Sequence, residues 1–170
     1  DYEDMDRKLK ENHIHLAIFC SPHNPSGRVW ERWELEKAMQ VYEANACYVI
    51  SDEIWADLTF SGHHHIPTQM VNDAPSKTFN LAGLIGSFHI IYSRYLRDRI
   101  CSHANATHYN EMNVLSMHAL IGAYQSQGAE WLEELRTVLE ENARYAVDFI
   151  RNNFSGVEAA SPQGTYMIFL

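Results

Sequence analysis

The chain has 170 residues, 46% of them hydrophobic and 21% charged, and a formal net charge of −9. This composition is typical of a folded globular protein and excludes the disordered and collagen-like classes. No apolar run approaches the ~20 residues that a membrane-spanning helix needs. The acidic charge argues against a nucleic-acid partner, which requires clustered Lys and Arg. The length by itself predicts one domain, because domains usually hold about 100–200 residues.

The ends of the chain and its cysteines bear on where the protein works. The acidic start differs from a secretory signal, which begins basic and then turns apolar. The 3 cysteines are widely spaced and form no C-x-x-C motif, which favours reduced, mostly buried thiols in a cytoplasmic protein. The chain starts without Met and ends on the apolar run 166–170. Because natural chain ends are usually polar and exposed, we expect it to be a piece of a longer protein.

Three adjacent histidines, His63, His64 and His65, raise the question of a metal site. Adjacent side chains point in different directions, and no second His or carboxylate follows at the i, i+4 spacing of a helical ligand pair. We therefore interpret these residues as part of a polar turn after Gly62 and predict no metal.

The hydrophobic pattern of the first third of the chain predicts a βαβ unit. The apolar run 14–20 fits a buried strand, and apolar residues recur at intervals of three and four over 31–46, as in an amphipathic helix. A second strand follows at 47–50, so we predict an α/β fold with a parallel sheet. The other predicted elements are a helix at 2–12, a strand at 85–92, helices at 110–124 and 130–153, and two strands at 157–160 and 165–170 joined by a Pro-Gln-Gly turn.

Three polar residues lie where such a sheet would bind a ligand, beyond the carboxyl ends of its strands. Asn24 follows the first strand, Asp52 closes the second, and Lys77 lies in a polar cluster further along. Each residue alone has a plainer explanation. Asn24 is a common turn residue, Asp52 is a good helix cap, and a lone Lys is usually a solvated surface charge.

Taken together and in this order, the segments 21–27, 51–54 and 76–79 resemble the large domain of class I/II aminotransferases, the fold-type I pyridoxal-phosphate (PLP) enzymes. The chain is most similar to the cystathionine β-lyase, or C–S lyase, subgroup. The residues that carry this resemblance are SDEIWAD at 51–57, HIP at 65–67, SKTFN at 76–80 and PQGTY at 162–166.

The resemblance implies a division of the chain. Residues 1–130 would be part of a PLP-binding large domain, with a mostly parallel sheet and flanking helices. Residues 131–170 would be an interdomain helix and the start of a small α+β C-terminal domain. The change from alternating strands and helices to a long helix and a hairpin points to the same boundary near residue 130.

The resemblance also implies roles for individual residues, with PLP as the cofactor. Lys77 would carry the cofactor through its amine and remove the Cα proton of the substrate. Asp52 would pair with the pyridinium N–H, Asn24 would donate to the phenolic oxygen, and Ser76 would reach the phosphate. Trp55 would contact the cofactor with an indole N–H, where many relatives have the hydroxyl of a Tyr.

Two further departures from the family pattern concern the phosphate and the spacing. Ala74 and Ile85 stand where many relatives carry a phosphate-binding Ser and Arg. The interval from Asp52 to Lys77 is several positions shorter than in the family. Either this interval carries a deletion or residues were omitted from the sequence there. Losing a central strand would leave its neighbours without ladder partners, so we favour the omission.

Three hypotheses for the function follow. The first is a PLP-dependent β-lyase that releases a thiol, pyruvate and ammonia from cystathionine or a cysteine S-conjugate. The second is an aminotransferase, which shares the removal of the Cα proton and differs in the later reprotonation. The third is a truncated or degenerate scaffold without catalysis. The resemblance further implies a small-molecule amino-acid substrate and a homodimer.

Overall fold

The computed structural model describes residues 1–71, 90–91, 93–107 and 112–170. A single 3₁₀ turn occupies Thr68–Met70. Within this described part, no helix is both long enough and apolar enough to cross a membrane. The helices and strands, in chain order, are α1 (Tyr2–Glu11), β1 (Leu16–Cys20), α2 (Arg32–Ala44), β2 (Tyr48–Asp52), α3 (Arg94–Thr107), α4 (Val114–Ala123) and α5 (Ser126–Asn153).

The predicted βαβ unit is confirmed. Strands β1 and β2 are neighbours in a two-stranded parallel sheet, and α2 connects them. At the start of α2, the backbone N–H of Glu31 donates to the Glu34 carboxylate at 2.8 Å. This bond satisfies a donor that the helix itself leaves free. It explains why the helix begins at Arg32.

The core of this unit lies between α2 and β2. Ala38, Met39 and Val49 are almost fully buried and pack together. Along β2, Val49 and Ser51 are buried while Tyr48 is exposed, as expected for side chains that alternate across a strand. The alternation places Asp52, the last residue of β2, on the face opposite Ser51.

The chain forms two compact units that are interleaved in sequence. The first contains Asp1–Phe19, Glu31–Asp52 and the described residues of Pro67–Ala119. The second contains Cys20–Trp30, Glu53–Ile66 and Leu120–Leu170. The segments that follow β1 and β2 therefore belong to the same unit as α5 and the last residues of the chain. The predicted domain boundary near residue 130, within the first turns of α5, stays a prediction.

The predicted C-terminal hairpin is wrong. No strand forms at 157–160 or 165–170, and the bond from Ala160 N–H to the Phe169 carbonyl, at 3.3 Å, joins the two segments. Gly164 instead forms an isolated antiparallel bridge with Thr59. Backbone groups that a hairpin would have used thus pair with another part of the second unit.

The middle of the chain differs from the sequence prediction in its helices. Helix α3 was not predicted, and most of the predicted strand 85–92 falls outside the described residues. The helix expected at 110–124 is observed from Val114, with 110–111 outside the described residues.

The cysteines are free, but they are not mostly buried, because Cys101 is exposed on α3 and Cys20 is partly exposed. Only Cys47 fits the expectation, and burial raises the pKa of its thiol.

Candidate active site

Asn24 lies at the tip of a tight loop that follows β1. The backbone N–H of His23 donates to the Arg28 carbonyl, and that of Gly27 donates to the His23 carbonyl, both at 2.8 Å. The His23 ring also bonds the Ser26 hydroxyl at 2.8 Å. Within the described residues, the exposed side-chain amide of Asn24 makes no hydrogen bond. The hydrogen bonds of the loop therefore fix the backbone that carries the Asn24 amide.

Asp52 ends β2 with a half-buried carboxylate. Next to it, the Thr68 hydroxyl donates to the Ser51 hydroxyl at 2.8 Å, and both side chains are fully buried. This bond anchors the end of the strand on the face opposite Asp52. The carboxylate consequently projects from a rigid element rather than from a free loop.

Trp55 belongs to the second unit, in a turn that starts directly after β2. Its ring meets the Tyr166 ring edge to face, with centroids 4.8 Å apart. Its indole nitrogen Nε1 is buried and has no hydrogen-bond partner in the described part of the chain. Since buried N–H groups in native proteins are nearly always paired, this donor indicates a missing acceptor such as a ligand or a water.

Sequence reasoning missed a buried hydrogen bond in the same segment. His65 Nε2 lies 2.7 Å from the Glu53 carboxylate, and the two side chains are 9% and 0% exposed. The sequence pattern indicates only a polar turn at His65. The glutamate occurs twelve residues earlier, so no helical or strand periodicity links the two residues. The pair fixes the segment immediately after Asp52.

Replacing His65 by alanine should lower the free energy of unfolding by about 1.5–3 kcal/mol, the usual contribution of a hydrogen bond to a charged group. Removal of the ring deprives the buried Glu53 carboxylate of this partner. His64→Ala, at the exposed neighbouring position, is the matched control and should change little. Urea denaturation measures both variants. Equal losses in the two variants would show that the hydrogen bond between His65 and Glu53 contributes nothing.

Two glycines allow the chain to pack closely around the Asn24 loop. A Cβ on Gly27, which has φ +68°, would lie 2.6 Å from the Cβ of Pro162. A Cβ on Gly164 would overlap the carbonyl oxygen of Leu58. Both contacts are tighter than any side chain tolerates. Gly27 and Gly164 thus bring three distant parts of the sequence together in the second unit.

Gly27→Ala should destabilise the protein more than Gly62→Ala. Gly62 has φ +83° with nothing near its Cβ position, so alanine there meets only backbone strain, at a cost of about 1–2 kcal/mol. Alanine at Gly27 adds overpacking, which typically costs about 1–3 kcal/mol more. Urea denaturation of the two variants isolates the crowding. Indistinguishable midpoints would contradict the close packing.

Two predicted site residues, Ser76 and Lys77, lie outside the described residues. Of the other three, Asn24 and Trp55 belong to the second unit and Asp52 to the first. In the described ranges, no group of three or more His, Cys, Asp or Glu side chains is placed to hold a metal ion.

Comparison with known proteins places these observations in a family. The family model for aminotransferase class I and II matches residues 1–170. The cystathionine beta-lyase PatB of Bacillus subtilis is 37% identical over 180 aligned residues, which cover 100% of this chain and 46% of that protein.

Solved structures show the same likeness. The PLP-bound putative aminotransferase from Clostridium difficile has a TM-score of 0.91 at 29% identity, covering 99% of this chain and 45% of that one. The PLP-bound C-S lyase from Staphylococcus hominis has a TM-score of 0.88 at 34% identity, covering 98% and 44%.

The chain belongs to the class I and II aminotransferase family, as the resemblance of its motifs predicted. Its relatives include proteins named as cystathionine β-lyases and C–S lyases. The predicted fold is likewise confirmed by the match to these structures. The chain spans about half the length of the curated relatives it matches.

The donor set of the described residues fits PLP, the group that these structures contain. The buried, unpartnered N–H of Trp55 and the open amide of Asn24 are donors that suit oxygen acceptors. The Asp52 carboxylate suits a protonated ring nitrogen. Phosphate ligands are not identified among the described residues.

Proposed function

We propose that this chain contributes the cofactor site of a PLP-dependent C–S lyase. The substrate would be cystathionine or another cysteine S-conjugate. The observation that carries the proposal is the fold shared with a PLP-bound C-S lyase over 98% of the chain, together with Asn24, Asp52 and Lys77 in the order of the family motifs. The relative PatB, named as a cystathionine beta-lyase, supports the choice of substrate.

When bound, PLP supplies an electron sink that stabilises negative charge at the substrate Cα. The residues of this chain orient that group and set its charge. Asp52 would accept a hydrogen bond from the pyridine N–H and keep the nitrogen protonated, which would lower the barrier electrostatically. Asn24 would donate to the phenolic oxygen, Trp55 would supply a second N–H donor to the cofactor, and Ser76 would bond the phosphate.

Lys77 would hold the cofactor through its Nζ and would take the Cα proton with the same atom. A neutral amine is required for that step, and a nearby cationic ring lowers a lysine pKa in the needed direction. The other three lysines have different roles. Lys8 and Lys10 pair with Asp4 and Asp6 on the surface of α1, and the exposed Lys37 lies over aromatic rings.

The overall reaction balances without an oxidant or a second organic substrate. Cystathionine and one water yield homocysteine, pyruvate and ammonia. Loss of the Cα proton and expulsion of the thiolate from Cβ break the C–S bond. Water then replaces the amine nitrogen, which leaves as ammonia. No keto acid is consumed.

An aminotransferase is the alternative function, and the family itself includes such enzymes. It would use the same residues to remove the Cα proton, but it would return a proton to the cofactor carbon and require a keto-acid acceptor. A scaffold without cofactor is the third candidate. It gives no role to the buried Trp55 indole N–H, which has no acceptor among the described residues.

Incubation of the protein expressed from its complete gene with cystathionine separates these functions. The lyase predicts pyruvate and a free thiol in equal amounts with no acceptor present. Turnover only in the presence of a keto acid would establish the aminotransferase instead. Purification without any bound or bindable PLP would support the scaffold.

We also propose that the protein is a cytoplasmic homodimer. Light scattering measures the number of subunits.

A further inference from the structure

Gln163 connects the loop after β1 with the segment after β2. Its backbone N–H donates to the Gly27 carbonyl at 2.9 Å, and its carbonyl accepts from the Phe60 N–H at 2.8 Å. Its side-chain Oε1 accepts from the Val29 N–H at 3.0 Å and from Arg28 Nη1 at 2.7 Å. Four hydrogen bonds therefore converge on one residue, all within the second unit.

The residues beside Gln163 reinforce the same connection. Thr165 is fully buried, and its N–H donates to the Leu58 carbonyl at 2.7 Å. Tyr166 packs edge to face on Trp55. Gly27 and Gly164 provide the close approach that these bonds require. The segment thus contacts both of the parts of the second unit that carry a candidate cofactor donor.

We propose that Gln163 is a positioning residue that fixes the Asn24 loop relative to the Trp55 segment. This inference rests on the proposed function. The Gln163 side chain is engaged by Arg28 and Val29 of the Asn24 loop, while its backbone carbonyl bonds Phe60 of the Trp55 segment, and so it acts on the position of the loop rather than on the cofactor. Holding both donors in place before binding avoids the entropic cost of ordering them afterwards.

Substitution of Gln163 can remove its side-chain hydrogen bonds and leave its backbone hydrogen bonds in place. Gln163→Leu keeps the backbone bonds and nearly the same volume, but it leaves the N–H of Val29, a 4% exposed residue, without its acceptor. Gln163→Glu retains an acceptor oxygen for both Val29 and Arg28. Glutamate should therefore rescue what leucine loses.

The test uses the protein expressed from its complete gene, freed of cofactor and titrated with PLP. We expect Gln163→Leu to raise the dissociation constant for PLP about five- to tenfold, as for a lost hydrogen bond that leaves a buried donor unpaired. Gln163→Glu should bind nearly as well as the wild type. Gln125→Leu is the control, because Gln125 is exposed and its side chain donates to the Ile121 carbonyl of the preceding helix.

The urea denaturation midpoints of the cofactor-free variants show whether a variant binds PLP more weakly because its fold is less stable or because the cofactor donors are misplaced. The inference is supported if Gln163→Leu weakens PLP binding while Gln163→Glu and the control Gln125→Leu do not. Gln163→Asn, a milder change whose side chain is one methylene too short, should fall between them and serves if the leucine variant does not fold. Unchanged PLP binding in Gln163→Leu and Gln163→Asn would overturn the inference while leaving the function intact. A wild type that binds no PLP would overturn both.

Discussion

Replacement of Lys77 by alanine is expected to abolish the yellow colour of the PLP-loaded protein and its pyruvate production. The variant loses both the amine that holds the cofactor and the base that takes the Cα proton. The second loss alone should lower kcat/KM by about 10²–10⁴-fold, the usual contribution of general acid–base catalysis. Absorbance after dialysis and the rate of pyruvate release measure the two effects.

The control is Lys10→Ala, which removes a solvent-exposed lysine paired with Asp6 at 2.6 Å. Exposed ion pairs contribute little, so this variant should keep both colour and activity. Colour that survives dialysis in Lys77→Ala would show that another amine holds the cofactor. Our assignment of Lys77 would then be wrong.

The second large effect concerns Asp52. Asparagine at this position has nearly the same shape but no charge, so it no longer holds the ring nitrogen in its protonated form. We expect kcat to fall about 10²–10³-fold, comparable to the loss of one preorganised electrostatic contact in other enzymes. Steady-state kinetics with cystathionine measures kcat, and the cofactor absorbance shows that the variant is loaded.

Asp57→Asn is the matched control for Asp52→Asn, because Asp57 is an exposed aspartate of the adjoining turn. It should leave kcat close to the wild-type value. A similar fall in the two variants would indicate a general electrostatic effect of acidic residues near this turn. An Asp52→Asn variant with full kcat would contradict the role given to Asp52.

Local patterns predicted the elements whose stabilising contacts are also local. Helix α2 shows an apolar stripe at the helical period, and β1 and β2 are short apolar runs, so the positions of these three elements could be predicted within a few residues. The burial predicted for β1 is wrong, because Leu16 and Ile18 are 57% and 73% exposed. Helix α3 carries a comparable signal that we missed. Ser93 caps it, with a bond from the Leu96 N–H to its hydroxyl at 3.4 Å, and Leu96, Ile100 and Ala104 recur at intervals of four.

The C-terminal segment shows where local reasoning fails. Two short segments and a Pro-Gln-Gly turn favoured a hairpin over 157–170, yet the backbone groups of Gln163 and Thr165 bond Gly27, Leu58 and Phe60 instead. Those partners all lie more than a hundred residues earlier in the chain. No window of sequence contains both sides of such a contact, and so tertiary hydrogen bonding overrode the strand pattern.

The sequence indicates the residue types of the candidate site, but it does not indicate the contacts that hold those residues in place. The ordered motifs predict roles for Asn24, Asp52 and Lys77 because the chemistry of the family demands an amide, an acid and an amine, and these roles stay predictions. The Glu53–His65 hydrogen bond and the contacts of Gln163 could not be predicted, since they depend on which segments fold together. The open donor of Trp55 became apparent only from its burial.

The most direct test of the account is to locate the covalent attachment of the cofactor. The protein expressed from its complete gene is loaded with PLP, reduced with borohydride, digested and analysed by mass spectrometry. We predict a pyridoxyl modification on the peptide that contains Lys77, and none on peptides with Lys8, Lys10 or Lys37. Modification of one of those three lysines, or of no lysine in the protein, would contradict the account.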